Sequence, residues 1–265
     1  VIWNFKRRGA VGNHGIRDTG SVDRSVNTKG IFITGTDTGV GKTIVAAALA
    51  RLLVNKGINV GVMKPVTTGC TQLEGRLISE DAELLAWSAG IELTAEVAPY
   101  LFREPIAPAA AAELEHAKIE FSRILAAFHK LSEEHDFIIV EGAGGLMVPL
   151  AGGLLVADLA KLLALPLLVV ARPDLGTVNH TLLTCFAARG LGCSVKGTII
   201  NNYPLNPGLA ESTAPHFIDS LSGVPLLARL PSIPGKDERN IVDQLAELLF
   251  KEPTTRILLR EIGLD

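Results

Sequence analysis

Residues 30–57 constrain the fold more than any other part of the chain. GIFIT (30–34) is a short, β-rich apolar run, followed by the loop GTDTGVGKT. TIVAAALARLLVNKG (43–57) then has the Ala/Leu content and spacing of an amphipathic helix, stopped by Gly57. A strand that enters a helix through a glycine loop aims backbone N–H groups and the positive end of the helix dipole at one spot. Such a spot suits phosphate. Gly39, Val40 and Gly41 supply the backbone donors, Lys42 is placed to reach β- and γ-phosphates, and the Thr43 hydroxyl is placed to ligate Mg²⁺. The loop is unusual in two respects. Gly35 and Gly41 stand one residue further apart than in the common motif, and Asp37 puts an acid where a polyanion is expected.

The same alternation continues along the chain. Apolar strand-like runs at 59–66, 136–145, 166–173, 194–202 and 225–231 are separated by helical patterns at 79–90, 122–134, 154–164, 178–190 and 238–250. Ser79 reads as an N-cap, GAGG (142–145) as a glycine turn after its strand, and 98–118 as a proline-containing loop leading into a helix. Strands apolar on both faces predict a mostly parallel sheet covered by helices on each side, in a single α/β domain of the P-loop NTPase-like class. We expect this domain at 30–251, after a flexible N-terminal extension at 1–29 and before a C-terminal tail at 252–265.

Composition narrows the function. A net charge of −3 gives no reason to expect nucleic acid, and the basic Lys6-Arg7-Arg8 group reads as a solvated terminus. No apolar run approaches the roughly 20 residues that cross a bilayer, so no membrane partner is expected. Cys70, Cys185 and Cys193 lack metal-ligand spacing and read as free thiols of a reducing cytoplasm.

Other candidates gather near the predicted carboxyl edge of the sheet, where α/β folds bind ligands. Glu141 follows FIIV directly, and Asp81 lies near a helix start; Mg²⁺ calls for one or two such carboxylates. Lys64 ends a strand in KPVTTG, where it can neutralise an anion beside the γ-phosphate, and Thr67, Thr68 and Gly69 add donors. His180 reads as a capping or packing residue, and His116, His129 and His135 as solvated.

The series GTDTGVGKT, KPVTTG, EDAELLA, VEGAGGLMVPL and LGTVNH, in this order and spacing, resembles dethiobiotin synthase from about Lys29 to the helix at 238–250. The long loop spacing is a feature of that family. The resemblance implies ATP-dependent joining of CO₂ to 7,8-diaminononanoate (7,8-diaminopelargonate), with closure of a cyclic urea through a carbamate and a carbamic-phosphoric anhydride. By the same resemblance Thr38, Lys42, Lys64 and Thr68 surround the substrate amines or carbamate and the γ-phosphate. Thr43, Asp81 and Glu141 match the Mg²⁺ positions, Gly144 a backbone contact beside substrate, and Asn201 the adenine-reading asparagine. Gly176, Thr177, Val178 and Asn179 match a helix N-terminus that binds the substrate's distal carboxylate across a homodimer interface. The chain departs from relatives at Gly39, where some carry an acid, and at Ala109, where many carry histidine.

The main rival is a regulatory P-loop ATPase of the partitioning or site-selection type. Proteins of that type carry an extra lysine early in the loop, where this chain has Asp37. A cobyrinate-type amidotransferase would need a glutaminase domain for which the chain has no room.

Overall fold

The computed structural model describes residues 29–264, so the expected extension at 1–29 lies outside the described residues apart from Lys29. The chain begins with β1 (Gly30–Gly35), α1 (Lys42–Asn55), β2 (Val60–Met63), the short β3 (Val66–Thr67) and a hairpin of β4 (Thr71–Leu73) and β5 (Arg76–Ile78). It continues through α2 (Glu80–Ala89), β6 (Tyr100–Leu101), α3 (Pro108–Leu114), α4 (Phe121–Glu134) and β7 (Phe137–Gly145). A second hairpin, β8 (Pro149–Ala151) and β9 (Leu154–Leu155), leads to α5 (Val156–Leu162), β10 (Leu167–Ala171), α6 (Thr177–Gly190) and β11 (Val195–Tyr203). The last elements are α7 (Leu209–Leu221), β12 (Leu226–Pro231), α8 (Glu238–Lys251) and α9 (Thr255–Glu261).

Six strands form one parallel sheet in the order β12-β11-β10-β1-β7-β2. The inner strands are covered on both faces, and every residue of β1 and β10 is buried. That is why their sequences read as unbroken apolar runs. Each fully buried Leu, Ile or Val contributes about 1.5–3 kcal/mol of hydrophobic stabilisation.

The α1 helix differs from its sequence reading. It is enclosed on nearly every side, with Ala46, Ala47, Ala48 and Ala50 all inaccessible to solvent. It packs between the sheet, α2 and α8, and its alanines let those neighbours approach closely. Trp87 of α2 ties this layer together, with the guanidinium groups of Arg51 and Arg239 at 4.1 Å and 5.3 Å from its ring centre. Ser79 caps α2 as expected, its hydroxyl accepting from the Ala82 N–H at 3.1 Å.

Other expectations need correction. GAGG is the carboxyl end of β7 rather than a turn, and Gly145 pairs with Gly35. Leu154 and Leu155 belong to a hairpin, and α5 starts only at Val156. The sequence reading assigns nothing to 203–224, yet α7 lies there with Pro215 inside it. The helix at 238–250 is not the last, since the expected tail at 252–265 contains α9, whose Leu258 is fully buried. His135 is half-buried, its Nδ1 2.8 Å from the Leu131 carbonyl.

Candidate active site at the carboxyl edge of the sheet

The loop between β1 and α1 is held from both sides. Lys42 lies across it, and its Nζ donates to the Asp37 carbonyl at 3.1 Å. The Asp37 carboxylate turns back on the loop's own backbone and accepts from the Thr38 N–H at 2.7 Å. Asn201, at the end of β11 and 1% exposed, donates to the Val40 carbonyl at 3.1 Å. Gly41 has φ 85°, and a Cβ there would lie 2.1 Å from Asn201 Nδ2, so only glycine fits. Burial lowers the Lys42 pKa, while Glu141 opposes the shift.

Next to this loop, residues from four elements converge. Lys64 follows β2, Glu141 belongs to β7, Thr43 lies in the first turn of α1, and Asp81 in the first turn of α2. Glu141 Oε1 accepts from Thr43 Oγ1 at 2.9 Å and from Lys64 Nζ at 3.0 Å. The same ammonium is ion-paired with Asp81 Oδ2 and lies 3.4 Å from Thr43 Oγ1. Burial alone would lower the Lys64 pKa, but Glu141 and Asp81 more than offset this and hold it above its ordinary value. Removing one partner of such a buried pair costs roughly 3–5 kcal/mol, because it strands the other charge.

The cluster fits Mg²⁺ on its own chemistry. Thr43, Asp81 and Glu141 present oxygen donors around one cationic position, and Glu141 Oε2 is buried without a partner. A hydroxyl and one or two carboxylates, with water and phosphate completing the shell, are typical of Mg²⁺ sites.

The remaining candidates occupy different places. Thr38 is exposed at the top of the loop, and Gly144 lies close by, with the Thr38 hydroxyl 3.5 Å from where its Cβ would stand. Gly39 is exposed beside it, and Thr68, half-buried, follows β3. Gly176 caps α6 with φ 95°; in the first turn Thr177 is buried with its hydroxyl unpartnered, Val178 is half-buried and Asn179 is exposed. Among the described residues, no hydrogen bond joins this turn to Lys42, Lys64 or Glu141. Within one chain, these two halves of the expected site are not bonded to each other.

Two neighbours were missed in the sequence. Glu238 opens α8 near Asp81, and burial, then Asp81 and Glu80, push its carboxyl above the usual range. Its only sequence signal is an acid at a helix start. Arg172 follows β10 with its Nε buried and unpartnered, and its Nη2 lies 3.4 Å from His180 Nδ1.

A parallel sheet with this loop at its carboxyl edge defines a P-loop nucleotide-binding protein. A family model described as an AAA domain matches residues 29–240. The ATP-dependent dethiobiotin synthetase BioD of Bacillus licheniformis is 45% identical over 209 residues, covering 77% of this chain and 86% of that protein. The protein of the same name from Bacillus subtilis strain 168 is 36% identical over 236 residues, covering 89% and 99%. The chain belongs to the ATP-dependent dethiobiotin synthetase family. Among solved structures, a ParA family ATPase from Chlorobium tepidum aligns with TM-score 0.51 at 16% identity, over 90% of this chain and 98% of that one. A MinC:MinD cell division complex of Aquifex aeolicus aligns with TM-score 0.52 at 15% identity, over 89% and 94%. At these identities the likeness shows the fold alone.

Proposed function

We propose that this chain uses ATP and Mg²⁺ to join CO₂ to 7,8-diaminononanoate and close the cyclic urea of dethiobiotin. The observation that carries the reading is the convergence of Lys42, Thr43, Lys64, Asp81 and Glu141 at one end of the sheet in a chain of this family. One substrate amine adds to CO₂ to give a carbamate. The carbamate oxygen takes the γ-phosphoryl group, releasing ADP and leaving a carbamic-phosphoric anhydride. The second amine then attacks the carbonyl carbon, expels phosphate and closes the five-membered ring.

No side-chain nucleophile is required. The chain's task is to position a highly anionic complex and neutralise it, which suits two buried lysines and a helix N-terminus. Lys42 serves the phosphates and Lys64 the carbamate and γ-phosphoryl oxygens, with Thr38, Thr68 and Gly144 beside the substrate. Asn201 serves the adenine, for which its unpartnered Oδ1 is suited. Thr43, Asp81 and Glu141 would hold Mg²⁺, which when bound neutralises charge on the phosphates.

The protein acts as a homodimer, with the first turn of α6 of one copy, Gly176 to Asn179, receiving the distal carboxylate of substrate bound at the loop of the other. Support comes from exposed apolar side chains just before that turn and further along α6, with Leu175 84%, Leu183 57% and Phe186 72% accessible. The three buried, unpaired cysteines suit a reducing compartment, the cytoplasm.

The test is ATP turnover that depends on both diamine and bicarbonate, with loss in Lys42→Ala and in Asn179→Trp taken separately. Mixing these two variants should restore roughly a quarter of wild-type activity, since random exchange gives half the dimers one intact site. Turnover without the diamine would overturn the reaction. No recovery after verified subunit exchange would overturn the shared site.

A further inference from the structure

Three oxygens converge on Lys64 Nζ: Glu141 Oε1 at 3.0 Å, Thr43 Oγ1 at 3.4 Å and Asp81 Oδ2 in direct ion pairing. These belong to the same three residues that fit a divalent cation. A magnesium ion draws its oxygens in to about 2.0–2.1 Å and tolerates little departure from octahedral geometry. A metal drawn in to that distance from Thr43, Asp81 and Glu141 together would stand within a few ångströms of the ammonium that bonds all three residues, and two cations at such a separation repel strongly. Thr43 is part of the same competition. Its hydroxyl donates to Glu141 Oε1 and accepts from Lys64 Nζ at 3.4 Å, so the ammonium already holds one of the lone pairs that this oxygen could offer a metal.

We propose that Lys64 and the divalent cation are alternative occupants of one oxygen-lined position, so that metal entry expels the ammonium and makes Lys64 available to the substrate. This rests on the Mg²⁺ reading above and adds an order of events to it. The backbone of Lys64 is fixed, its N–H donating to the Val97 carbonyl at 2.7 Å, so release is a side-chain movement rather than a loop opening. Before the metal enters, the ammonium keeps Glu141, 1% exposed, from being a lone buried charge. Once it has entered, Lys64 can bind a carbamate or phosphoryl oxygen. The chain thereby withholds one of the site's two buried lysines from substrate until the metal is in place.

The experiment uses nucleotide-free protein and Mn²⁺ as probe, with free Mn²⁺ read by electron paramagnetic resonance. Lys64→Gln removes the competing charge and should bind Mn²⁺ at least about tenfold more tightly than wild type. A second readout needs no variant. In wild type, an amine-acylating reagent mapped by mass spectrometry should modify Lys64 poorly without metal and readily once Mn²⁺ has saturated the site. Equal or weaker Mn²⁺ binding by Lys64→Gln overturns the proposal. Tighter binding by the variant, with Lys64 still protected in Mn²⁺-saturated wild type, reduces the effect to simple charge removal and also overturns it. If neither protein binds Mn²⁺ even with ADP present, the metal reading itself fails and the proposal with it. If wild type binds Mn²⁺ as tightly as the variant, the metal reading stands and only the competition fails.

Discussion

Two helices start at the same edge of the sheet, each behind a left-handed glycine and without a side-chain cap: α1 after Gly41 and α6 after Gly176. Their surroundings are opposite. The start of α1 is walled in by its own chain, with Asn201 against Gly41, Lys42 lying along the loop and Glu141 bonded to Thr43. Nothing lies within 4 Å of a Cβ built on Gly176, and the residue before it, Leu175, is almost fully exposed. Both termini offer free N–H groups and the positive end of a dipole. The first is completed from within the chain, whereas the second is open and suits completion by another molecule.

Three substitutions probe that contrast. The largest effect is expected from Gly41→Ala. The new methyl overlaps Asn201, and alanine at φ 85° adds strain of about 1–3 kcal/mol, so ATP should bind more than about tenfold less tightly by calorimetry. Unchanged ATP affinity would mean that Asn201 does not wall the loop. Phe186→Asp comes next. It places a charge on the exposed face of α6 and should convert the proposed dimer to monomers in analytical ultracentrifugation. Synthetase turnover should then fall about tenfold or more if each site needs its partner, while ATP affinity stays near wild type. Turnover retained by a proven monomer would remove the reason for treating the two helix starts differently. The smallest effect is expected from Gly176→Ala. Open space leaves only the backbone penalty, about 1–2 kcal/mol, seen as a melting temperature lower by several degrees. A loss of ATP binding as large as that from Gly41→Ala would show that α6 also serves the nucleotide.

The parts of the fold that could be read from sequence are those whose pattern is local. GIFIT, FIIV and LLVVA announce buried parallel strands because both of their faces are covered, and Ser79 announces a helix start because capping acts within one turn. The missed elements have weak or misleading local signals. Pro215 argues against a helix where α7 runs, and α9 is a short helix of one or two turns anchored by Leu258. The all-round burial of α1 was hidden because an Ala/Leu-rich segment reads much the same whether one face or all faces are packed.

The candidate site divides along the same line. By itself the sequence determined the phosphate-binding loop, since a glycine turn feeding a helix that starts with Lys42 and Thr43 is a contiguous device. It also marked Lys64, Asp81 and Glu141 as candidates by their places at strand and helix ends. Only the tertiary structure decided that Asp81, Glu141 and Thr43 meet around the Lys64 ammonium. Glu141 lies 77 residues from Lys64, and they touch because β7 pairs with β2 in the sheet. The bond from Asn201 to Val40 spans 161 residues and depends on β11, β10 and β1 lying in that order. Local sequence sets which backbone groups stay unpaired, but the energy of a buried charge depends on which distant charges the sheet brings within a few ångströms.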